Sequence, residues 1–365
     1  MDRLIIFGGT FDPIHNGHIR IANYASQKYH AKVMFVPAKN PRWKNPHASI
    51  KQRVDMLKIT LKEENNPNLF MSTYEVNRKD KINYTIDTLK YFKRKYKNTK
   101  LYLLIGMDQV EAFNKWKEAN EISKISQILF VSRPKVKIKS NNINKYHMKS
   151  IVFSKSGTIS SHSIRHLKEL DAPKKVLDYI VKNNLYYIKE LKRLYKPGRF
   201  LHALSVADLA YQISKKNKLN NEYKCYIAGL LHDIAKKVPL AKQYKLMNKY
   251  YKNYLKDLDK NIYHQFISEY LAKKIFAISD KEILEAIKRH TTGNKNMSSV
   301  AKIIYCADKI EPLRGFDSKE LINKCYRNFD VGFKLVLKAN KEYLIKTNKN
   351  INNKLTNDCF RMYLK

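Results

Sequence analysis

Two histidines in the segment GGTFDPIHNGHIR, residues 8–20, have a type and spacing that could do chemistry. His15 and His18 lie three residues apart, close behind a pair of glycines. A helix is expected to begin near Gly17, and the free amide groups of a helix N-terminus bind phosphate. Two imidazoles in the same loop add hydrogen-bond donors for the same oxygens. The glycine turn and the second histidine favour a phosphate site over two histidines that merely cap a surface turn.

A second set of histidines and aspartates lies in the other half of the chain. In order, these residues are His202, His232, Asp233, His264, His290 and Asp308. Each lies in a segment with helical periodicity, and neighbours on a helix point about 100° apart, so His232 and Asp233 could flank one metal ion. Histidine and carboxylate ligands with open positions suit iron, manganese or another hydrolytic metal, which lowers the pKa of a bound water. We therefore predict a metal site that His202 and Asp308 complete from other helices.

The elements that would position the first set alternate between strands and helices. Short apolar runs predict strands at LIIFGG, KVMFVPA, LFMSTYEV, LYLLIGMD and SQILFVSRP, with helical periodicity between them. This alternation predicts an α/β fold with a doubly wound parallel sheet. Ligands bind beyond the carboxyl ends of the strands in such sheets. We therefore expect four segments to converge at that edge, namely Gly8–Gly9, Pro37, Gly106–Asp108 and Ser132–Pro134.

The pattern becomes almost wholly helical from about residue 190, as in RFLHALSVADLAYQIS and YKCYIAGLLHDIAKK. An all-α bundle is the expected fold of this half. A chain of 365 residues is also longer than one ordinary core requires. We therefore predict two domains, residues 1–187 with the parallel sheet and residues 188–365 with the helical bundle.

The composition restricts the class of protein. The 72 lysines and arginines exceed the 32 aspartates and glutamates by 40, but the lysines are dispersed and accompany an excess of asparagine, isoleucine and tyrosine. We therefore expect no dedicated nucleic-acid site. The four cysteines form no CxxC pair, and no run approaches the roughly 20 apolar residues that a membrane span requires. These features predict a soluble cytoplasmic protein without membrane contact and leave a homo-oligomer open.

The segment GGTFDPIHNGH resembles the signature of the HxGH nucleotidyltransferases, and most of all the bacterial nicotinate-mononucleotide adenylyltransferases. YTIDTL at residues 84–89, IGMD at 105–108 and TISSHSIR at 158–165 are similar to further segments of that family, and Trp116 stands where the family has an indole. The resemblance covers about residues 1–187. It implies that AMP passes from ATP to nicotinate mononucleotide, with pyrophosphate as the leaving group and no covalent enzyme intermediate.

The resemblance also implies roles for individual residues. His15, His18 and Arg165 would be catalytic, with His18 nearest the α-phosphate, and Asp108 would contact the adenosine ribose or organise the Mg²⁺ expected with ATP. Ser161 and Arg165 would hold the end of ATP that leaves as pyrophosphate. The implied ATP site consists of Gly8, Gly9, Thr10, Phe11, His15, His18, Gly106, Asp108, Ser161 and Arg165. The implied mononucleotide site consists of Lys44, Tyr84, Thr85 and Trp116.

Two positions depart from the family pattern. His162 stands in place of a threonine in the second signature, although an imidazole can still donate a hydrogen bond. Trp43-Lys44 stands where the family has His-Lys. Lys44 can still meet a phosphate, and Arg42 and His47 are the available substitutes for the missing imidazole.

The second half resembles the HD-domain phosphohydrolases, in particular the bacterial HD-type symmetrical diadenosine tetraphosphate hydrolases. The resemblance rests on RFLHALSVADLA, GLLHDIAKK, RHTTG and IIYCADKIEPLR and spans about residues 195–316. It implies iron or another divalent transition metal, with Asp233 also catalytic and with the ligands His202, His232, Asp233 and Asp308. His264 and His290 would contact the polyphosphate or hold a second metal. The implied phosphate contacts are Lys236, Thr291 and Arg314.

Together these features predict a bifunctional nucleotide enzyme. One domain would make nicotinate adenine dinucleotide, and the other would hydrolyse diadenosine tetraphosphate or a related dinucleoside polyphosphate. Two alternatives stay open. The first half could act on phosphopantetheine or glycerol phosphate, although YTIDTL and Trp116 disfavour this. The HD half could be a non-catalytic regulatory or RNA-binding module that uses the positive charge of the chain.

Overall fold

A computed structural model of the chain contains two compact units. The first consists of residues 1–165 and 171–186, and the second of residues 166–170 and 187–365. The structure describes residues 2–41, 45–79, 83–132, 140–152, 160–256, 258–347 and 353–364. Three parts of the predicted motifs lie outside the described residues, namely Arg42–Lys44, Arg133–Pro134 and Thr158–Ile159.

The first unit is built on a sheet of six strands that are all parallel. The strand order is β3-β2-β1-β4-β5-β6, so consecutive strands are added first on one side of β1 and then on the other. The strands are β1 (Arg3–Gly9), β2 (Lys32–Pro37), β3 (Leu69–Met71), β4 (Lys100–Ile105), β5 (Gln127–Ser132) and β6 (Lys149–Val152). The predicted doubly wound parallel sheet is confirmed.

Helices connect the strands of this unit. They are α1 (Asn16–Tyr29), α2 (Ile50–Glu64), α3 (Tyr74–Asn77), α4 (Thr85–Lys95), α5 (Ala119–Ile125), α6 (Asn141–Lys145), α7 (Ser161–Arg165) and α8 (Lys174–Lys182). The four residues Leu4–Phe7 of β1 are all buried, as expected for a central parallel strand with both faces covered. One core of the unit packs α4 against the sheet through Leu89 and Phe92, which join Leu103 in a buried cluster.

The prediction of a single strand over LFMSTYEV is wrong in its second half. The strand ends at Met71, and Tyr74–Asn77 form the short helix α3. The Ser72 hydroxyl accepts a hydrogen bond from the backbone N–H of Tyr74 (3.2 Å), a local turn that competes with further strand pairing. The sixth strand, Lys149–Val152, was not predicted, because only one of its four residues is buried and it carries no apolar run.

The second unit is helical throughout the described residues. Its helices are α9 (Tyr187–Leu194), α10 (Pro197–Lys216), α11 (Glu222–Leu231), α12 (Leu240–Tyr250), α13 (Tyr263–Phe276), α14 (Lys281–Arg289), α15 (Ser299–Ile310), α16 (Lys319–Arg327), α17 (Phe329–Lys346) and α18 (Lys354–Tyr363). The all-α prediction is confirmed. Helices α10 and α11 pack closely, since a Cβ on Gly229 would lie 2.5 Å from Cα of Ala207. Along the described chain, every helix is too short or too polar to span a bilayer.

Candidate functional sites

The loop between β1 and α1 brings the two predicted histidines of the first unit together. His15 directly precedes α1, and its ring centroid lies 3.7 Å from that of His18. The backbone N–H of His15 donates a hydrogen bond to Nδ1 of His18 (3.3 Å). A neutral imidazole that accepts at Nδ1 carries its proton on Nε2. His18 therefore has an N–H group with which it can bind an anionic ligand.

The neighbouring His15 is buried, with 6% of its surface exposed. Burial, and to a smaller extent the charge of Arg20, lowers the pKa of His15 to about 3, so the free protein carries it as a neutral imidazole at pH 7. A Cβ at Gly17 would lie 2.9 Å from Nδ1 of His15. The glycine of the motif therefore provides the space that the His15 ring occupies.

Asp12, which the sequence interpretation left without a role, anchors this loop. Its carboxylate is 4% exposed and accepts hydrogen bonds from the backbone N–H groups of His47 (2.8 Å) and Ala48 (3.1 Å). The hydroxyl of Tyr186, the last residue of the first unit, donates a third bond (2.8 Å). The loop is thereby attached both to the start of α2 and to the end of the unit.

A second anchor is Arg53, a guanidinium on α2 with only 1% of its surface exposed. Its Nη1 donates hydrogen bonds to the carbonyl oxygens of Thr10 (2.7 Å) and Ala38 (2.8 Å), and Nη2 donates to that of Lys39 (3.2 Å). Arg53 therefore joins the loops that follow β1 and β2 at the carboxyl edge of the sheet.

The second signature meets the first at the same loop. On α7, the Ser161 hydroxyl donates to the carbonyl oxygen of Pro13 (2.8 Å). Nη1 of Arg165 donates to the carbonyl oxygen of Asp12 (2.5 Å). Two segments about 150 residues apart in the chain thus meet at the carboxyl edge of the sheet. A shared phosphate site requires that they do. His162 on the same helix is exposed.

The loop after β4 supplies the third part of this edge. Asp108 is exposed in a 3-10 turn directly beyond Gly106, and its Oδ2 accepts a hydrogen bond from the Gln109 amide (2.7 Å). A Cβ on Gly106 would contact the Asp108 carboxylate, so a larger residue there would displace this exposed side chain. β1 and β4 are neighbours in the sheet, and the order of strand addition reverses between them. The loops after these two strands therefore border the crevice in which doubly wound sheets bind ligands.

A cavity beside this edge contains the described residues of the predicted mononucleotide site. Tyr84, Thr85 and Trp116 line it together with Gly8 and Gly9. α4 begins at Thr85, so the N-terminus of this helix borders the cavity. The Trp116 indole is half-buried and packs against the Phe113 ring, with 5.1 Å between the two ring centroids. This contact restrains the orientation of the indole.

The second unit brings its six predicted histidines and aspartates into one cluster. His202 lies on α10, His264 on α13 and Asp308 on α15. The prediction that His232, Asp233 and His290 lie on helices is wrong. α11 ends at Leu231 and α14 ends at Arg289, and these three residues occupy the turns that follow. The Nδ1 of His232 bonds to the carbonyl oxygen of Gly229 (2.7 Å), a side-chain contact that closes the last turn of α11.

One half of the cluster consists of His202, His232, Asp233 and Asp308. The two Nε2 atoms of the histidines are 3.3 Å apart, and Oδ1 of Asp308 lies 3.3 Å and 3.7 Å from them. Oδ2 of Asp233 lies 3.6 Å from Nε2 of His232 and 4.0 Å from that of His202. Four side chains from three segments therefore direct their ligand atoms toward one point.

The other half uses the second oxygen of the same aspartate. Oδ1 of Asp233 lies 3.4 Å from Nε2 of both His264 and His290, and these two nitrogens are 3.2 Å apart. This oxygen is buried and has no hydrogen-bond partner among the described residues. Asp233 therefore stands between two histidine pairs, with one oxygen toward each pair.

All four imidazoles are oriented by a bond at Nδ1. The acceptor is the carboxylate of Glu311 for His202 (2.8 Å), and it is the carbonyl oxygen of the residue three positions earlier for His232, His264 and His290. A histidine that donates from Nδ1 keeps the lone pair of Nε2 for a metal ion. The tautomers that these bonds select are those of metal ligands.

The protonation states of the cluster agree with this. Burial lowers the pKa of His232 to about 4 and that of His264 well below its usual range. Burial alone would raise the pKa of Asp233 and Asp308, but the neighbouring cationic and imidazole groups hold both well below the usual range. His202 differs, since Asp308 and Glu311 raise its pKa against the effect of burial, and a metal ion would replace that proton.

Cationic side chains surround the cluster. Arg199 lies 3.0 Å from Oδ2 of Asp233 through Nη1, and the Lys309 ammonium lies 2.9 Å from Oδ2 of Asp308. Arg314 pairs with Oδ1 of Asp308. Lys236 is exposed, yet desolvation by the neighbouring groups lowers its pKa.

Two family models match the chain, a cytidylyltransferase-like model over residues 6–167 and an HD domain model over residues 199–313. A Mycoplasma genitalium protein named "Probable nicotinate-nucleotide adenylyltransferase/Ap4A hydrolase" is 33% identical over 347 residues, which are 92% of this chain and 97% of that protein. The chain belongs to this family. A Mycoplasma pneumoniae member with the same name is 30% identical, again over 92% of this chain and 98% of the other. An adenylyltransferase of Borreliella afzelii, also named as probable, is 36% identical over 197 residues, 51% of this chain and 98% of its own length.

Membership of the adenylyltransferase/Ap4A hydrolase family makes the protein an enzyme with a nucleotidyltransferase part and an HD hydrolase part, and the HD domain implies a divalent metal. The cluster fits such an ion. Two ligand atoms about 2.1 Å from one ion at tetrahedral or octahedral angles lie about 3.0–3.4 Å apart. The separations of His202 from His232 (3.3 Å) and of His264 from His290 (3.2 Å) lie in that range.

Several residues of these sites were not predicted from the sequence. Glu311 and Arg199 each lie three positions from a predicted ligand, Asp308 and His202 respectively, so helical spacing places them on the ligand's face. That spacing was the available signal. Arg53 occupies a position of the buried face of α2 beside Val54, Met56 and Leu57, where a cation signals an internal anchor.

Proposed function

We propose that the first unit of this family member transfers AMP from ATP to nicotinate mononucleotide, giving nicotinate adenine dinucleotide and pyrophosphate. The observation that carries the proposal is the meeting of both signatures at Asp12–Pro13. A cavity with Tyr84, Thr85 and Trp116 opens at the same carboxyl edge of the sheet. One edge thus offers donors for a triphosphate and an aromatic face for a pyridine ring.

The reaction is an in-line displacement. A 5′-phosphate oxygen of the mononucleotide forms a bond to the α-phosphorus of ATP while the bond to the bridging oxygen of pyrophosphate breaks. His18, with the Nε2 proton that its Nδ1 bond selects, donates to the α-phosphate as charge builds there. His15 is the second imidazole of this group. Arg165 and Ser161 hold the departing β- and γ-phosphates.

The remaining contacts fix the two nucleotides. The backbone of Gly8, Gly9, Thr10 and Phe11 follows the phosphates, and the left-handed backbone at Phe11 (φ 49°) turns the chain there. Asp108 contacts the adenosine ribose or organises the Mg²⁺ that accompanies ATP. Tyr84, Thr85 and Trp116 hold the mononucleotide, and Lys44 stays a predicted phosphate contact.

His18→Ala tests this proposal. We expect kcat for pyrophosphate release to fall at least 100-fold, because the transition state loses an oriented donor, whereas the thermal unfolding midpoint should hardly change at a half-exposed ring. Phosphopantetheine in place of nicotinate mononucleotide serves as the substrate control. Near-normal turnover by the variant, or equal turnover with phosphopantetheine, would contradict the proposed role.

We further propose that the second unit hydrolyses diadenosine tetraphosphate, or a related dinucleoside polyphosphate, with two metal ions. The support is the position of Asp233 between two histidine pairs. His202, His232, Asp233 and Asp308 would hold one ion, with iron as the predicted metal, and Asp233, His264 and His290 the other. This choice favours a second metal over a direct polyphosphate contact for His264 and His290.

When bound, such ions lower the pKa of a bound water and stabilise charge on the phosphates. Symmetrical hydrolysis consumes one water: a bond forms from its oxygen to one inner phosphorus, the bridging P–O bond breaks, and two ADP result. The protein binds the polyphosphate through Arg199, Lys236, Thr291 and Arg314, which border the cluster. The ligand tautomers set by Glu311 and the backbone carbonyls keep Nε2 of each histidine directed inward.

Metal analysis of the purified chain, followed by product chromatography with dinucleoside polyphosphates, tests the second proposal. We expect about two transition-metal ions per chain and ADP as the main product, with Asp233→Asn losing both metal and activity. A protein that binds no transition metal and cleaves none of these substrates would support a regulatory or RNA-binding module instead, particularly if RNA binding fell steeply with salt. The cytoplasmic location and a homo-oligomer stay predictions.

A further inference from the structure

A buried glutamate lines the mononucleotide cavity without a place in the chemistry proposed above. Glu75, on α3, is 9% exposed and borders the same cavity as Thr85 and Trp116. Its Oε1 accepts a hydrogen bond from the hydroxyl of Thr88 on α4 (2.7 Å). Its Oε2 has no hydrogen-bond partner among the described residues. One carboxyl oxygen is therefore fixed by the protein, and the other is left for a ligand.

A second polar group on the same wall also lacks a partner. The side-chain amide of Asn83 donates to the carbonyl oxygen of Glu75 (3.5 Å). Its Oδ1 is buried and unbonded within the described part of the chain, although Asn83 lines the cavity. This buried acceptor is costly unless a ligand supplies a donor.

The charged groups around Glu75 come from several elements. Directly after α3, Arg78 lies 3.7 Å from Asp87 of α4. The ammonium of Lys39, after β2, donates to the Arg78 carbonyl oxygen (2.5 Å). Lys115 and Lys117 line the cavity itself. Lysine, arginine and aspartate ordinarily keep their charge between about pH 6 and 8.5. A charge change in the cavity across this range would therefore come from Glu75.

Burial raises the pKa of Glu75 to about 7, against the opposing effects of the Thr88 hydrogen bond and the charge of Arg78. Both forms of the carboxyl group are then available near neutral pH. The protonated form donates a hydrogen bond from its hydroxyl, and the ionised form only accepts.

The two pyridine mononucleotides differ at the group that would meet this wall. Nicotinate carries a carboxylate on the ring, which only accepts hydrogen bonds, whereas nicotinamide carries a carboxamide, which also donates. With the ring against Trp116, the ring substituent is the polar group available to Glu75 and Thr88.

We infer that Glu75 is a specificity-determining residue of the mononucleotide site, whose free oxygen donates to the carboxylate of nicotinate when protonated and accepts from the carboxamide of nicotinamide when ionised. This rests on the proposed function of the first unit. Nicotinate mononucleotide is thus preferred at acidic pH, and the preference declines as Glu75 ionises.

A competition assay tests this on the full-length protein. Both mononucleotides are supplied together at limiting ATP, and the ratio of the two dinucleotide products is measured from pH 6 to 8.5. Because both substrates share the 5′-phosphate, the ATP and the catalytic residues, titration of those groups cancels in the ratio. We expect the ratio of nicotinate to nicotinamide product to fall at least about tenfold over this range.

Two variants and a control locate the effect. In Glu75→Gln, a neutral amide should give a ratio that is independent of pH. In Thr88→Val, the ionised carboxyl loses a donor, so the midpoint of the change should move to higher pH. Glu63→Gln alters an exposed glutamate of the same unit and should keep the wild-type slope.

The outcomes distinguish the role of Glu75 from adenylyl transfer itself. A wild-type ratio that does not change with pH, or an unchanged slope in Glu75→Gln, overturns the role of Glu75 while adenylyl transfer stands. If Glu75→Gln does not fold, an unmoved midpoint in Thr88→Val overturns it equally. A wild-type protein that uses neither mononucleotide refutes the proposed function itself.

Discussion

Replacement of Arg53 by methionine would test how far one buried cation holds the transferase site together. The guanidinium donates three hydrogen bonds, of 2.7, 2.8 and 3.2 Å, to the carbonyl oxygens of Thr10, Ala38 and Lys39. Arg53→Met fills much of the same volume but supplies no donor. The three carbonyl groups therefore lose their donor. The Arg53 side chain that supplied it is 1% exposed.

An unpaired acceptor costs about 1–3 kcal/mol when it is fully buried, and these three are partly buried. Removal of a desolvated charge offsets part of this, so the net loss should resemble that of breaking a buried ionic contact, about 3–5 kcal/mol. For a unit of this size each kcal/mol lowers the unfolding midpoint by about 2–4 °C, which gives a decrease of roughly 6–20 °C. Since the Thr10 loop carries the proposed phosphate contacts, kcat should also fall at temperatures where the variant is folded.

Tryptophan fluorescence is the suitable probe of this prediction. Both tryptophans of the chain, Trp43 and Trp116, lie within residues 1–165, so urea titration followed by their emission reports on the first unit alone. Arg53→Lys keeps the charge with fewer donors and should lie between the wild type and the methionine variant. A loss below 1 kcal/mol in Arg53→Met, with unchanged kcat, would refute the idea that these three bonds hold the loops.

Three further substitutions have expected outcomes. Glu311→Gln weakens the acceptor of His202 Nδ1 and should reduce metal affinity about 10- to 100-fold, measured as metal retained against a chelator, while pyrophosphate release by the first unit stays normal. Gly17→Ala should leave stability unchanged or slightly higher, as alanine favours a helix, yet lower kcat because the new Cβ displaces His15; equal kcat would contradict this. The pKa of Glu75 is about 7 in the folded protein and about 4.5 in the unfolded chain. Its protonated form therefore contributes stability that is fully present below pH 4.5 and is lost as the pH rises through 7. The resulting change in the free energy of unfolding is at most about 3 kcal/mol. Glu75→Gln should remove that difference between urea titrations at pH 5 and pH 8.

Apolar runs and helical periodicity in the sequence predicted those strands and helices that carry such a local signal. Apolar runs located β1, β2, β4 and β5, since central parallel strands are buried on both faces. The exposed edge strand β6 has no such signal. The segment with Glu75 was assigned to a strand because tyrosine and valine beside it favour strands, whereas the Ser72 turn starts a helix there.

The site residues likewise divide into those with a signal in the sequence and those that only the folded chain reveals. Histidines and aspartates are uncommon enough on buried helix faces that the order of His202, His232, Asp233 and Asp308 pointed to a metal, and the structure brings these side chains together. Asp12 accepts its tyrosine bond from a residue 174 positions away, a contact that only the folded chain reveals. Arg53 was missed because arginine is ordinarily exposed, and only tertiary structure shows what it bonds.

The division of the chain into units has a practical consequence. The chain passes from one unit to the other at three places, because residues 166–170 belong to the second unit while 171–186 return to the first. Leu167 and Leu170 in that short excursion are 0% and 1% exposed. A single cut near residue 186 therefore does not separate the two units cleanly, since residues 166–170 would stay in the first fragment. Dissection of the two activities is better done by point substitution at each site than by truncation.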